Sequence, residues 1–192
     1  VQLTYSLPKH DIVMSFLPND FTQVNFELNK KMIDLALDLL DLNENDDVID
    51  LFCGLGNFTL PISRYANKVV GIEGDQGLVE RAKANAEQNN ITNALFYKAD
   101  LFEDVSGFEW FRGKNYNKAL IDPSRTGAIE IVELLPKLNI ERLVYVSCNP
   151  STLARDTAKL ISLGFSLESA GVMDMFPQTA HVESIALFVR KK

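Results

Sequence analysis

Cys148 follows the apolar run LVYVS and precedes Asn149 and Pro150, so its thiol sits where a β-branched strand gives way to a helix opened by proline. A cysteine just ahead of a helix start feels the positive end of the helix dipole, which favours the thiolate, the form that attacks carbon. For an isolated cysteine the buried, inert state is the commoner one, and Cys53 is read that way. Glu183, in DMFPQTAHVES, has the chemistry of a general base, although a solvated surface carboxylate is the commoner case. In LIDPSRTG, Asp122 is followed by Pro123 in a rigid turn that reads equally as a helix-capping loop or as an acid at a site. In DLFCGLGNFT, Gly54 and Gly56 allow close backbone approach to a ligand at a helix start. Nineteen residues beyond Gly54, Glu73 ends the next strand, where an acid can hold two ribose hydroxyls. That spacing approaches a dinucleotide fingerprint, but Thr59 replaces its third glycine. S-adenosylmethionine suits the pattern at least as well as NAD, and a plain strand-to-helix turn is the remaining alternative.

Each of these groups stands at the end of an apolar run. DDVIDLF, KVVGIE, ALFYKAD, KALIDP and RLVYVS are continuous buried-strand patterns, separated by helical stretches at 58–65, 75–89, 127–137 and 150–163. A further helix is expected over about 24–42. This alternation predicts a parallel sheet covered by helices on both faces, with ligands at the carboxyl ends of its strands. FSLESAGVMDM and ESIALFVRK follow with no helix between them, which predicts an antiparallel strand at the end of the sheet. QLTYSL and IVMSFL, split by PKHD, read as a hairpin.

The 192 residues, 46% hydrophobic, suit one compact domain, and no apolar run reaches the length of a membrane span. Two cysteines cannot build a disulfide framework, which fits a reducing cytoplasm. With two histidines besides, no metal site is expected. A net charge of −7 argues against a self-sufficient nucleic-acid binder, since phosphate contacts need a basic surface. The chain begins without an initiator Met and reads as part of something longer.

Taken in order, FTQVN, DLFCGLGNFTLP, DPSRTG, SCNPSTLARD and DMFPQTAHVE resemble the RNA uracil-5-methyltransferases, which form 5-methyluridine. The resemblance runs from about Asp20 to the C-terminus, and the stretches DLFCGLGNFTLP and VSCNPSTLARD look most like the iron–sulfur-containing enzymes of 23S ribosomal RNA. It implies a class I S-adenosylmethionine-dependent methyltransferase (Rossmann-like) fold, with a mostly parallel seven-stranded sheet and an antiparallel C-terminal strand. Residues 1–19 would then be the remnant hairpin of a preceding central domain and 20–192 the catalytic domain.

The resemblance also assigns roles. Cys148 adds to C6 of a uracil, and Glu183 removes the C5 proton after methyl transfer. Gln23, Phe52, Gly54, Asn57, Glu73, Asp100 and Asp122 line the S-adenosylmethionine site, Asp122 where methyl donor and base meet. Asp100 stands where the ribosomal enzymes carry Asn, and Ser124 where the family shows Pro or Ala. His181 is read as shaping its loop, with a catalytic part as the alternative. An RNA-binding barrel and a [4Fe–4S] centre are expected only in an N-terminal part preceding this chain. Expected partners are RNA, 23S ribosomal RNA first and transfer RNA as the alternative, for a cytoplasmic monomer with no membrane contact. Two other classes remain: an S-adenosylmethionine-binding scaffold without catalysis, and an NAD oxidoreductase.

Overall fold

The computed structural model describes residues 1–20, 25–173 and 182–191. Among the described residues seven strands form one sheet, in the order β5-β4-β3-β6-β7-β9-β8. Its parallel part consists of β3 (Asp47–Leu51), β4 (Lys68–Glu73), β5 (Ala94–Lys98), β6 (Lys118–Ile121) and β7 (Arg142–Ser147). β9 (Glu183–Arg190) is antiparallel to both β7 and β8 (Phe165–Met173). The reversed strand therefore enters one place in from the rim, not at the rim itself.

Successive strand residues face opposite layers, as a pleated strand requires. Val48, Val69, Leu120 and Val144 pack under α1 (Phe26–Leu40), α2 (Thr59–Ser63) and α3 (Gln76–Gln88). Ile49, Val70, Ala119 and Tyr145 pack against α4 (Ile129–Val132) and α5 (Pro150–Ser162). Side chains start the long helices: Asn25 accepts from Leu28 N–H, Asp75 from Leu78 N–H and Asn149 from Ser151 N–H, at 3.0–3.1 Å. The helix expected over 127–137 is α4 followed by a 3-10 turn at Leu135–Leu138. Pro136 carries no N–H and cannot continue an α-helical ladder.

The hairpin of β1 (Leu3–Leu7) and β2 (Ile12–Phe16) is packed into this body. Tyr5, Leu7, Ile12, Met14 and Phe16 are buried in the same cluster as α1 and α3. Its outer edge is closed by α3. Asn89 Oδ1 accepts from Val13 N–H at 2.8 Å and Asn85 Oδ1 from Ser15 N–H at 2.9 Å, and each amide donates back to the same residue's carbonyl. Two asparagines one helical turn apart thus satisfy a strand edge that would otherwise be open.

Candidate active site

The carboxyl ends of β3 to β7 surround a cleft of about 540 Å³. The size is in the range of small-molecule sites. Phe52, Gly54, Asn57, Glu73, Asp100, Asp122, Cys148 and Glu183 all line it. Of the residues singled out from sequence, Gln23 and His181 lie outside the described residues.

The floor is the turn after β3. Gly54 and Gly56 have φ of +56° and +99°, and Phe52 shares that region at +64°, an uncommon conformation for a bulky side chain. Glu73 spans the turn from the next strand: Oε1 accepts from Gly54 N–H at 3.2 Å and Oε2 from Asp75 N–H at 2.8 Å. Both oxygens are aimed by backbone donors and each keeps lone pairs for a further donor. Asn57 is fixed from the opposite side. Its amide exchanges bonds with that of Asn29 at 2.9 and 3.0 Å, and Tyr5 Oη donates to Asn57 Oδ1 at 2.7 Å. At the rim Asp100 turns the chain, accepting from Phe102 N–H at 2.9 Å, and the rings of Phe52 and Phe102 lie 5.8 Å apart. Beneath the floor, Asp50 is fully buried, with Thr59 Oγ1 donating to Oδ2 at 2.6 Å. Burial, with the charge of Glu73 added, raises the Asp50 carboxyl to about 7. Burial holds the Cys53 thiol well above its ordinary range. Its sulfur packs under Gly71, so Cys53 is a core residue.

The other wall carries the cysteine. Ser147 on β7 pairs with Ser184 on β9 as the end of that ladder, so Cys148 and Glu183 flank it at the sheet's carboxyl edge, and the Glu183 carboxylate acts on the thiol. The reversal of β9 is what puts its first residue there. Cys148 is half-buried directly ahead of α5, whose N-cap is Asn149. Burial, then the carboxylates of Glu183 and Asp122, push its thiol up, while the Arg125 guanidinium pulls it down. Burial raises Glu183, and burial with the charge of Glu183 raises Asp122 well above the carboxylate range. Three groups that resist charging together, beside one cation, suit proton transfer and nucleophilic attack.

Tyr5 and Arg125 also line the cleft and were not singled out from the sequence. Arg125 carried a signal, being a cation in the same strand-end loop as Asp122. Tyr5 carried none, because its partner Asn57 is 52 residues away.

The model of the family described as tRNA (uracil-5-)-methyltransferase matches residues 1–192. Among curated proteins, the chain is 74% identical over 189 residues to the 23S rRNA (uracil(1939)-C(5))-methyltransferase RlmD of Vesicomyosocius okutanii, covering 98% of this chain and 43% of that protein. It is 54% identical over 191 residues to the protein of the same name from Alcanivorax borkumensis, again covering 43% of it. The chain thus spans under half the length of these relatives. Among solved structures, the Pyrococcus abyssi tRNA (uracil-54, C5)-methyltransferase in complex with S-adenosyl-L-homocysteine superposes with a TM-score of 0.82 at 28% identity, over 98% of this chain and 44% of that one. M. jannaschii TYW2 in complex with AdoMet shares the fold, with a TM-score of 0.69 at 17% identity over 99% of this chain and 87% of that one.

Proposed function

The chain belongs to the tRNA (uracil-5-)-methyltransferase family, and from that premise we propose that it methylates C5 of a uridine in 23S ribosomal RNA. The single observation that supports the chemistry is the end of the β7–β9 ladder at Ser147 and Ser184, beside which a thiol and a carboxylate line one cleft. The identity of 74% to a protein named for 23S rRNA, against 28% to one named for tRNA, favours the ribosomal substrate over transfer RNA.

S-adenosylmethionine, when bound, supplies a methyl group on a positively charged sulfur. The residues present fit it. Glu73, aimed by two backbone donors, suits the ribose hydroxyls, the Gly54 turn admits a close ligand, and Phe52 and Phe102 offer an aromatic edge for adenine. Asn57 and Asp100 complete this wall, and Asp122 stands between it and Cys148. No ligand set for an iron–sulfur centre converges among the described residues. We place such a centre in the remainder of the full-length protein, and no step below depends on it.

Uracil C5 is a weak nucleophile. Addition of the Cys148 thiolate to C6 moves electron density onto C5, which can then accept the methyl group. The Arg125 cation opposes the carboxylates and favours the thiolate. Glu183 next takes the C5 proton, the C5–C6 double bond re-forms, and the C6–S bond breaks to return Cys148. A carboxyl raised by burial is a stronger base once ionised, which suits removal of a carbon-bound proton.

The test is a denaturing gel with the full-length protein, labelled methyl donor, and 23S RNA and transfer RNA from cells lacking the modification. Glu183→Gln keeps the side chain's shape and cannot take the proton, so a methylated protein–RNA adduct should accumulate. Cys148→Ala should yield neither adduct nor product. Normal turnover by Glu183→Gln without adduct would place the base elsewhere. Product on transfer RNA alone would reverse the substrate assignment.

A further inference from the structure

Asp156 lies on α5 about two turns beyond Cys148, fully buried and outside the cleft lining. Its carboxylate is saturated with donors. Oδ2 accepts from the Ala128 N–H at 2.8 Å and from Tyr145 Oη, and Oδ1 accepts from Arg155 Nε at 3.0 Å. Arg155 also donates through Nη2 to the Thr126 carbonyl at 2.9 Å.

The same loop is held one residue at a time along its length. The Arg125 carbonyl accepts from Asn149 Nδ2 at 2.8 Å and from Thr152 Oγ1 at 3.1 Å. At Gly127 a Cβ would meet Arg155 Nη2 at 2.6 Å and Asp156 Oδ2 at 2.9 Å, so the loop lies flat on α5. The segment carrying Asp122 and Arg125 and the helix carrying Cys148 are thereby joined outside the cleft, with one carboxylate at the centre of the joint.

We propose that Asp156 is a positioning residue for the addition step, locking the Asp122–Arg125 loop to α5 so that Arg125 and Asp122 keep one spacing from Cys148. The inference rests on the reading of Cys148 as the nucleophile. Only a carboxylate fits this place. The donors converge from the loop, from β7 and from α5, and an amide would turn its own N–H₂ toward one of them. Tyr145, fully buried on β7, supports the carboxylate from beneath. On the same reading the nucleoside is held at the β3 and β4 ends, by Gly54 and Glu73, which the joint does not touch, while Asp122 stands at the methyl end, which S-adenosylhomocysteine lacks.

Asp156→Asn and Tyr145→Phe, each in the full-length protein, separate positioning from general loosening. Three quantities are measured: affinity for S-adenosylhomocysteine, the pH profile of Cys148 alkylation by iodoacetamide read on its peptide, and the rate of adduct formation with RNA bearing 5-fluorouridine. Asp156→Asn should slow adduct formation by about 10- to 100-fold, the scale of a slightly misplaced reacting group. Its alkylation profile should move while nucleoside affinity stays close to wild type. Tyr145→Phe, which deletes one neutral donor, should act in the same direction by about 3- to 10-fold. A folded Asp156→Asn with unaltered alkylation and adduct rates overturns the proposal, as does a fall in nucleoside affinity that tracks the fall in adduct rate. Should Asp156→Asn not fold, an unaltered profile in Tyr145→Phe overturns it equally. If the wild type forms no adduct, the nucleophile assignment fails, while the alkylation profiles still decide whether Asp156 positions Cys148.

Discussion

Thr59→Val deletes one hydroxyl beneath the cleft and nothing else of consequence to shape. Thr59 and Asp50 are both fully buried, and the Thr59 hydroxyl is a donor to Asp50 Oδ2 at 2.6 Å. Asp50 Oδ1 has no hydrogen-bond partner among the described residues, so the variant leaves the whole carboxyl without one there. A hydrogen bond to a buried carboxylate is worth about 1.5–3 kcal/mol and one to a neutral acceptor about 0.5–1.5 kcal/mol. The carboxyl titrates near 7 in the folded chain, above its unfolded value. A raised acid contributes stability that is complete below the unfolded pKa and is lost as pH rises through the folded one. At pH 5.5 the hydroxyl therefore serves a neutral acid and at pH 8.5 a carboxylate, and the variant should lose more at the higher pH. For a chain of this size the loss at pH 8.5 corresponds to a fall in melting temperature of about 3–12 °C. Urea titrations at the two pH values, under reductant, measure both losses, with Thr59→Ser as the control that keeps the hydroxyl. Equal losses at the two pH values, or a larger loss at pH 5.5, would refute the reasoning.

Glu73→Ala should weaken S-adenosylhomocysteine binding by about 10- to 150-fold in calorimetry, the equivalent of one charged hydrogen-bond acceptor lost; unaltered affinity would remove Glu73 from the ribose site. Gly127→Ala combines a left-handed φ of +78° with contacts of 2.6–2.9 Å. It should cost about 2–5 kcal/mol in a denaturant titration. Gly54→Ala has a similar φ and open space around the added carbon. It should cost only about 1–2 kcal/mol, and the reverse order would show that the loop on α5 yields more easily than its packing implies.

Much of the cleft was legible because chemistry sits where apolar runs stop. Glu73 ends KVVGIE, Asp122 follows KALI and Cys148 follows RLVYVS, so a parallel sheet brings all three to one edge. The helices expected over 75–89 and 150–163 begin within a residue of those bounds, at Gln76 and Pro150. What stayed hidden depends on distant pairing. Nothing near Glu183 says that β9 slips between β7 and β8, since that order is set by its pairing with β7, on the other side of α5 and β8 in the sequence. Asn85 and Asn89 were not singled out, and only the folded chain shows them closing the edge of β2, 70 and 76 residues away. Asp156 carried no signal in the sequence, because its donors come from a loop and a strand earlier in the chain.

The insertion of β9 also orders events in time. Among the described residues β8 has no hydrogen-bonded neighbour in the sheet except β9, which is synthesised after it. The turn of Gly54 and the Glu73 shelf need only β3 and β4, made more than a hundred residues earlier than β9 closes. A nascent or partly unfolded chain without β9 would therefore carry the nucleoside shelf and the thiol, but not the carboxylate opposite the thiol. On the proposed mechanism such a species, were it to add to uracil and methylate it, would have no carboxylate on β9 to take the C5 proton, and it would stay joined to the methylated base.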